Sequence, residues 1–261
     1  NNNDGSFTDI TVDSGLFNLL TEETPTMFNP GLNGEKYGAY FGDYNNDGYS
    51  DILVTQRFGV KIFKNNGDLT FTEITENTEF GDISSCQFTG AIWFDYDNDG
   101  DLDFYLSDWK KCDTNLLFRN NGDDSFTDVT DVTGLTEVVR SHSFNALPID
   151  INKDVWMDLY VSNDLNEPNY LYINNSGTSF LDQASSYGLG NQMDDMAIAA
   201  GDYNLDNALD FFITGIEVNR LFHNNNDGTF TSLESSLGVS DDTWAWAAKF
   251  TDLDLDGDED L

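Results

Sequence analysis

The sequence predicts an all-β chain built from repeated four-stranded antiparallel units. Three observations predict it. A nine-residue acidic motif recurs about every fifty residues. An Asn-Asn turn motif keeps fixed register with it. The segments between are short and β-like, with no sustained i, i+3, i+4 spacing of apolar residues.

The acidic motif reads D-x-[DN]-x-D-x-x-x-D and occurs five times: DYNNDGYSD at 43–51, DYDNDGDLD at 95–103, DINKDVWMD at 150–158, DYNLDNALD at 202–210 and DLDLDGDED at 252–260. The turn motif reads NNNDGSF from Asn1, NNGDLTF from Asn65, NNGDDSF from Asn120, NNSGTSF from Asn174 and NNNDGTF from Asn224. Two signals in constant register are far more specific than either alone.

Four strands fit each period, in a constant order. The first precedes the acidic loop and uses small residues: Gly38-Ala39, Gly90-Ala91, Ala199-Ala200 and Ala247-Ala248. The second follows the loop as an apolar run: Ile52-Leu53-Val54, Phe104-Tyr105-Leu106, Leu159-Tyr160-Val161 and Phe211-Phe212-Ile213. The third leads into the Asn pair, as in Asn115–Phe118 and Asn169–Tyr172. The fourth follows the Gly-containing turn and carries Phe71, Phe126, Phe180 or Phe230. Four short strands repeated at this length make a β-propeller blade. Small residues suit innermost strands crowded around an axis. Residues 1–261 are therefore expected to form one β-propeller domain or fragment, in repeats of about 52 residues with about five visible. The chain opens at a third-to-fourth-strand turn and stops after an acidic loop, so a segment of a larger propeller is expected, or a propeller whose missing strands come from disordered or neighbouring chain.

Composition sets limits. The chain carries 48 acidic and 11 basic residues, a formal net charge of −37. Such a charge excludes nucleic-acid phosphates and anionic lipid as partners. The 20 Phe and 11 Tyr exclude an acidic disordered chain. No apolar run is long enough to cross a membrane as a helix, and no membrane insertion is expected.

The acidic loops read as calcium sites. Position 1 is Asp43, Asp95, Asp150, Asp202 or Asp252. Position 3 is Asn45, Asp97, Asn152, Asn204 or Asp254. Position 5 is Asp47, Asp99, Asp154, Asp206 or Asp256, and position 9 is Asp51, Asp103, Asp158, Asp210 or Asp260. The backbone carbonyl of position 7 (Tyr49, Asp101, Trp156, Ala208 or Asp258) adds a fifth oxygen. Dense hard oxygen ligands select Ca²⁺ over softer metals. An EF-hand is excluded, because its position-12 Glu is replaced by Val54, Leu106, Val161 and Ile213. Position 6 wants a residue that accepts positive φ. Gly48, Gly100, Asn207 and Gly257 satisfy this and Val155 does not, so loop 3 is expected to be distorted or weakest. Five ions would bring the net charge to about −27. Weak loops of this kind fit a calcium-rich extracellular setting, secreted or at the cell surface.

With its acidic loops, paired Asn and the phrases NNNDGSFTDITVDSGL and NNGDDSFTDVTDVTGL, the chain resembles the FG-GAP/VCBS repeat family, and in particular its cartilage acidic protein (ASPIC/UnbV) branch. The resemblance implies a propeller, commonly seven-bladed, with Ca²⁺ in the loop joining the first two strands. It also implies kinship with integrin α-subunit heads and bacterial surface proteins.

The face opposite the loops carries the longer, more varied connections, where recognition is expected. Trp109, Lys110, Lys111, Trp244, Trp246, Arg57, Arg140 and His142 are the candidates there. Cys86 and Cys112 lie 13 residues either side of Asp99, which favours a disulfide closing that blade over two buried thiols. Asn174-Asn175-Ser176 is a glycosylation sequon. No G-x-S-x-G, H-E-x-x-H or Cys/His pair occurs. The expected function is a non-catalytic binding or adhesion module for extracellular protein or glycan, with self-association open. The alternatives are a structural subunit of a surface layer or fibre, and a propeller-type polysaccharide lyase or hydrolase acting through Asp or Glu of the variable loops.

Overall fold

The computed structural model describes residues 4–16, 36–57, 59–83, 86–109, 114–135, 142–239 and 244–261. Blade 1 consists of β1 (Lys36–Gly42), β2 (Asp51–Gln56), β3 (Gly59–Asn65) and β4 (Phe71–Glu73). Blade 2 consists of β5 (Phe88–Phe94), β6 (Asp103–Asp108), β7 (Leu116–Asn120) and β8 (Phe126–Asp128). Blade 3 has β9 (Ser143–Ile149), β10 (Asp158–Asn163), the two-residue β11 (Glu167–Pro168), β12 (Tyr170–Asn174) and β13 (Phe180–Asp182). The short β14 (Gln192–Met193) pairs with β11. Blade 4 consists of β15 (Asp195–Gly201), β16 (Asp210–Gly215), β17 (Arg220–Asn224) and β18 (Phe230–Ser232). Each blade is an antiparallel up-and-down sheet in chain order. The strands fall where the repeats predict them. In the fifth repeat, the described residues close the acidic loop with one antiparallel bridge, Thr251↔Asp260.

The second strands β2, β6, β10 and β16 are buried at every position. Both faces of each blade are covered, so these strands read as continuous apolar runs rather than alternating ones. The core lies in the seams between blades. Tyr44, Leu53, Ile62, Trp93, Phe104 and Phe118 fill the first seam. Tyr96, Tyr105, Leu117, Leu159 and Tyr172 fill the second. Tyr160, Leu171, Phe211, Phe222 and Phe230 fill the third.

The first strands β1, β5, β9 and β15 contact one another in succession, which makes them innermost. Their small residues follow from that crowding. A Cβ on Gly90 would stand 2.8 Å from the carbonyl oxygen of Phe144 in the next blade.

The absence of helical spacing misses one recurring feature. After the fourth strand comes a single helical turn: a 3-10 turn at Thr75–Asn77, then α1 (Thr130–Thr133), α2 (Ala184–Tyr187) and α3 (Glu234–Leu237). Four residues are too few to register a 3.6 period. The legible signal is the Gly-Leu that follows. Gly134 and Gly188 cap α1 and α2 in the left-handed conformation, at φ 81° and 79°. Leu135 and Leu189 then bury in the second and third seams. Gly188 packs against the carbonyl of Phe230, the fourth-strand phenylalanine of the next blade, and Gly15 packs likewise against Phe71. Residues 4–16 thus pack on blade 1 as the α2 turn packs on blade 4, and the Ser14 carbonyl accepts the backbone N–H of Phe71 at 2.7 Å.

Candidate functional site

The five acidic loops share one hydrogen-bond frame. The position-1 carboxylate accepts two backbone N–H groups, from positions 5 and 6. For Asp43 these are Asp47 at 3.0 Å and Gly48 at 2.9 Å, and for Asp150 they are Asp154 and Val155, both at 2.9 Å. Asp95, Asp202 and Asp252 repeat the pattern. The position-5 carboxylate accepts the N–H of position 7, as Asp47 does from Tyr49, Asp99 from Asp101, Asp154 from Trp156, Asp206 from Ala208 and Asp256 from Asp258. Where position 3 is Asn, its carbonyl oxygen also receives the position-5 N–H: Asn45, Asn152 and Asn204 each do so at 3.0 Å.

This frame winds the loop into left-handed turns at two positions. Position 6 has φ 88° at Gly48, 94° at Gly100, 72° at Val155, 65° at Asn207 and 99° at Gly257. Position 4 does the same at Asn46, Asn98, Lys153, Leu205 and Leu255, which the sequence reading missed. Loop 3 is not distorted, which corrects one expectation. Its hydrogen bonds match those of its neighbours, and Val155 takes the strained conformation instead.

Position 9 explains why the two sequence motifs travel together. Asp51, Asp103, Asp158 and Asp210 are fully buried. One oxygen of each accepts the N–H of the first Asn of the Asn pair: Asn65, Asn120, Asn174 and Asn224, at 2.7 to 2.8 Å. In loops 1 to 3 the other oxygen accepts the position-2 N–H, from Tyr44, Tyr96 or Ile151. Asp260 does the same for Leu253. The loop and the Asn turn are thus tied together at one end of each blade.

The carboxylates suit a hard cation. The donors of Asp95, Asp97 and Asp99 lie within 4.8 Å of one another, as do those of Asp252, Asp254 and Asp260. Asp97 Oδ1 and Asp210 Oδ2 are buried with no hydrogen-bond partner. Burial pushes Asp51 and Asp158 up to about 6 and Asp103 up to about 8. Burial, and then the charge of Asp99, raises Asp97. Each displacement is what carboxylates undergo when buried beside one another without counter-charge, burial being the larger cause, and a cation among them would reverse it.

The opposite face carries a pocket of about 600 Å³. It is lined from the starts of the first strands and the ends of the second strands, the ends remote from the loops. Tyr37, Trp109, Phe144, Trp244 and Trp246 supply aromatic walls, Met196 and Ile216 add apolar surface, and Gln87, Thr89 and Asp164 are the polar members. Every repeat contributes, so the pocket sits at the mouth of the axis. Trp244 stacks on Trp246 at 4.9 Å, and Phe144 lies 5.9 Å from Trp246.

Three of the expected recognition residues, Trp109, Trp244 and Trp246, therefore converge. His142 and Arg57 stand behind the lining. His142 is buried, bridges Trp109 and pairs through Nδ1 with Glu167 at 3.0 Å. Arg57 bridges Gln87. Lys110, Lys111, Cys112 and Arg140 lie outside the described residues. His223 holds the third-strand place of Lys64 and Arg119, against Asp210 at 3.1 Å. Asn174 is no glycan acceptor: it is buried, and its amide donates to the carbonyls of Tyr96 and Met157. Phe144, Met196 and Gln87 were not legible as lining residues, because each sits in a strand entry that reads as ordinary β sequence.

Fold and loops together define a repeat protein of propeller blades, each headed by an acidic hairpin. The chain belongs to the FG-GAP-like repeat family, whose model matches residues 43–106, 95–161, 150–213 and 202–261. No curated protein matches it. Among solved structures it is similar to an Agrocybe aegerita lectin, described for its specific recognition of non-reducing terminal N-acetylglucosamine. The identity is 19% and the TM-score 0.48, covering 78% of this chain and 52% of the lectin. The chain thus spans about half the length of that lectin.

Proposed function

We propose that this chain is an extracellular calcium-binding propeller acting as a non-catalytic binding or adhesion module for protein or carbohydrate. The observation that carries the reading is the division of labour between the two ends of the blades. Acidic loops of one design occupy one end, and an aromatic pocket assembled from every repeat occupies the other. Side chains on a rigid scaffold, converging from separate repeats, suit recognition.

In this reading the carboxylates at positions 1, 3, 5 and 9, with the position-7 carbonyl, hold Ca²⁺, up to five ions in all. The bound ion supplies positive charge and pins the hairpin. A Cys86–Cys112 bridge, in keeping with the buried position of Cys86, closes blade 2 in an oxidising compartment. The phrase shared by residues 1–16 and 120–135 supports placing the chain in the cartilage acidic protein branch.

Probing glycan and protein arrays with the calcium-loaded chain tests the proposal. A ligand retained by the native chain and lost in the Trp244→Ala/Trp246→Ala double variant is expected. Ordered self-assembly with no array ligand supports a structural subunit instead, and turnover of a polysaccharide supports an enzyme.

A further inference from the structure

We infer that the axial pocket takes a methylated ammonium group, the cation of choline-type compounds. The inference rests on the reading of that pocket as the recognition site and adds its ligand class. Asp164 is the observation that points to a cation. It lines the pocket, yet it is only 5% exposed. Its Oδ2 accepts the indole N–H of Trp109 at 3.2 Å and its Oδ1 accepts the backbone N–H of Leu165 at 2.7 Å. Among the described residues it has no ion-pair partner. A buried carboxylate with two neutral donors and no counter-charge favours a positive group beside it.

The rest of the wall selects which positive group. Trp109, Phe144, Trp244 and Trp246 line the cavity with aromatic rings. Aromatic faces attract cations whose charge is spread over methyl groups and that shed water easily. A metal ion is excluded, because the pocket offers one carboxylate and few other oxygens where a hard cation takes six to eight. A neutral sugar uses several converging hydrogen-bond donors and acceptors, whereas this pocket offers Gln87, Thr89 and the polar tips of Tyr37, Trp244 and Trp246 besides Asp164, on walls that are mainly aromatic and apolar. A net charge of −37 attracts a cation to the mouth from a distance.

The test titrates the calcium-loaded chain with choline and with 3,3-dimethylbutan-1-ol, its neutral isostere, by calorimetry and Trp fluorescence. Choline is expected to bind at least about tenfold more tightly than the isostere. Trp246→Ala is expected to abolish binding of both, and Asp164→Asn to weaken choline about tenfold while leaving the isostere unchanged. Thermal melts in calcium check that both variants fold. Equal affinity for choline and isostere overturns the cation inference and leaves the pocket reading standing. No response to either probe overturns the cation inference, while the pocket reading stands or falls separately on the array result for the Trp244→Ala/Trp246→Ala variant. Sedimentation with phosphatidylcholine vesicles, in parallel with free choline, separates a lipid headgroup from a soluble compound as the source. Binding to either supports the inference.

Discussion

The seam between blades 2 and 3 and the seam between blades 3 and 4 are built from equivalent positions and closed by different chemistry. At the loop end of the former, the second seam, Asn174 donates to the Tyr96 carbonyl across the seam at 2.8 Å, and Asn98 donates to the Val155 carbonyl at 3.1 Å. At the loop end of the latter, the third seam, the equivalent Asn224 bonds within its own blade, to Leu209 at 3.2 Å, and a crevice of about 280 Å³ opens beside Ile151, Asn152 and Lys153. The mouth end reverses the contrast. Asn115 meets a neutral partner, the Ser143 hydroxyl, at 2.8 Å across the second seam. Across the third, Asn169 donates to the carboxylate of fully buried Asp195. A repeat protein thus keeps its strands constant while varying the clasps, and each seam acquires its own sensitivity to ions and pH.

Calcium removal has the largest expected effect. A site saturated a hundredfold above its dissociation constant contributes about 2.7 kcal/mol. Loss of even two such sites lowers Tm by about 10 °C in a domain of this size. Hydrogen exchange resolves the comparison further. After chelation, amides at the loop end of the third seam are expected to exchange before those of the second, because among the described residues no side-chain clasp spans it there. An unchanged melt with and without calcium would remove the electrostatic basis of the proposed function.

Asp195 comes next. Burial raises it to about 7, against the lowering effects of its bond to Asn169 and of Arg220, while Asp194 adds a little in the same direction as burial. The phenol of Tyr160 adjoins through Asn169. A raised carboxyl contributes stability below its unfolded value, near 3.8, and loses that contribution as pH climbs to about 7. The native chain is therefore expected to lose stability over pH 4 to 7 relative to Asp195→Asn, by on the order of 2–4 kcal/mol. Measuring the difference between the two in saturating calcium cancels the titration of the loops. A pH-independent difference contradicts the assignment. The neutral Asn115–Ser143 clasp supplies the control: Ser143→Ala should shift stability equally at every pH.

Much of this molecule was legible because its physics repeats. The acidic loops and the Asn turns each occur five times in register and frame the four blades, and the buried position-9 aspartate that ties loop to turn is what fixes that register. Trp109, Trp244 and Trp246 stood out as bulky aromatics in variable connections. What the sequence did not disclose depends on neighbours distant in the chain. Asn174 reads as a sequon until its amide is seen spent on Tyr96, 78 residues away. Asp195 reads as a loop-edge acid until blade 3 is packed over it. Asp164 differs from dozens of other acids only by its burial behind Trp109.

A smaller effect separates the two loop ends. Asn174→Ala removes two donated bonds and the one its Oδ1 accepts from Gly177, and it leaves the Tyr96 carbonyl buried without its partner. The expected cost is about 2–3 kcal/mol. Asn224→Ala loses a bond to Leu209 and one from Asn226, both at the surface, for about 1 kcal/mol or less. Urea denaturation of the two variants measures the contrast. Equal costs would mean that the second seam gains nothing from its extra clasp.

Val155 sits in the acidic loop of blade 3, the blade that the two seams share, and its substitution carries the smallest effect. Its φ of 72° is one that a β-branched residue resists, and its side chain is 74% exposed, so little packing offsets the strain. Val155→Gly relieves about 1–2 kcal/mol of that strain and loses about 0.4–1 kcal/mol to the freer unfolded chain. The net expectation is a gain of between about 0 and 1.5 kcal/mol. The bond from Asn98 is to the backbone carbonyl, so the clasp of the second seam survives the change. Strain relieved in the loop should also appear as tighter calcium binding there, because the carboxylates of Asp150 and Asp154 are held by the N–H groups of this same turn. Calcium titration of the native and Val155→Gly chains checks it. A variant that binds calcium more weakly would mean that the valine holds the loop in its binding shape.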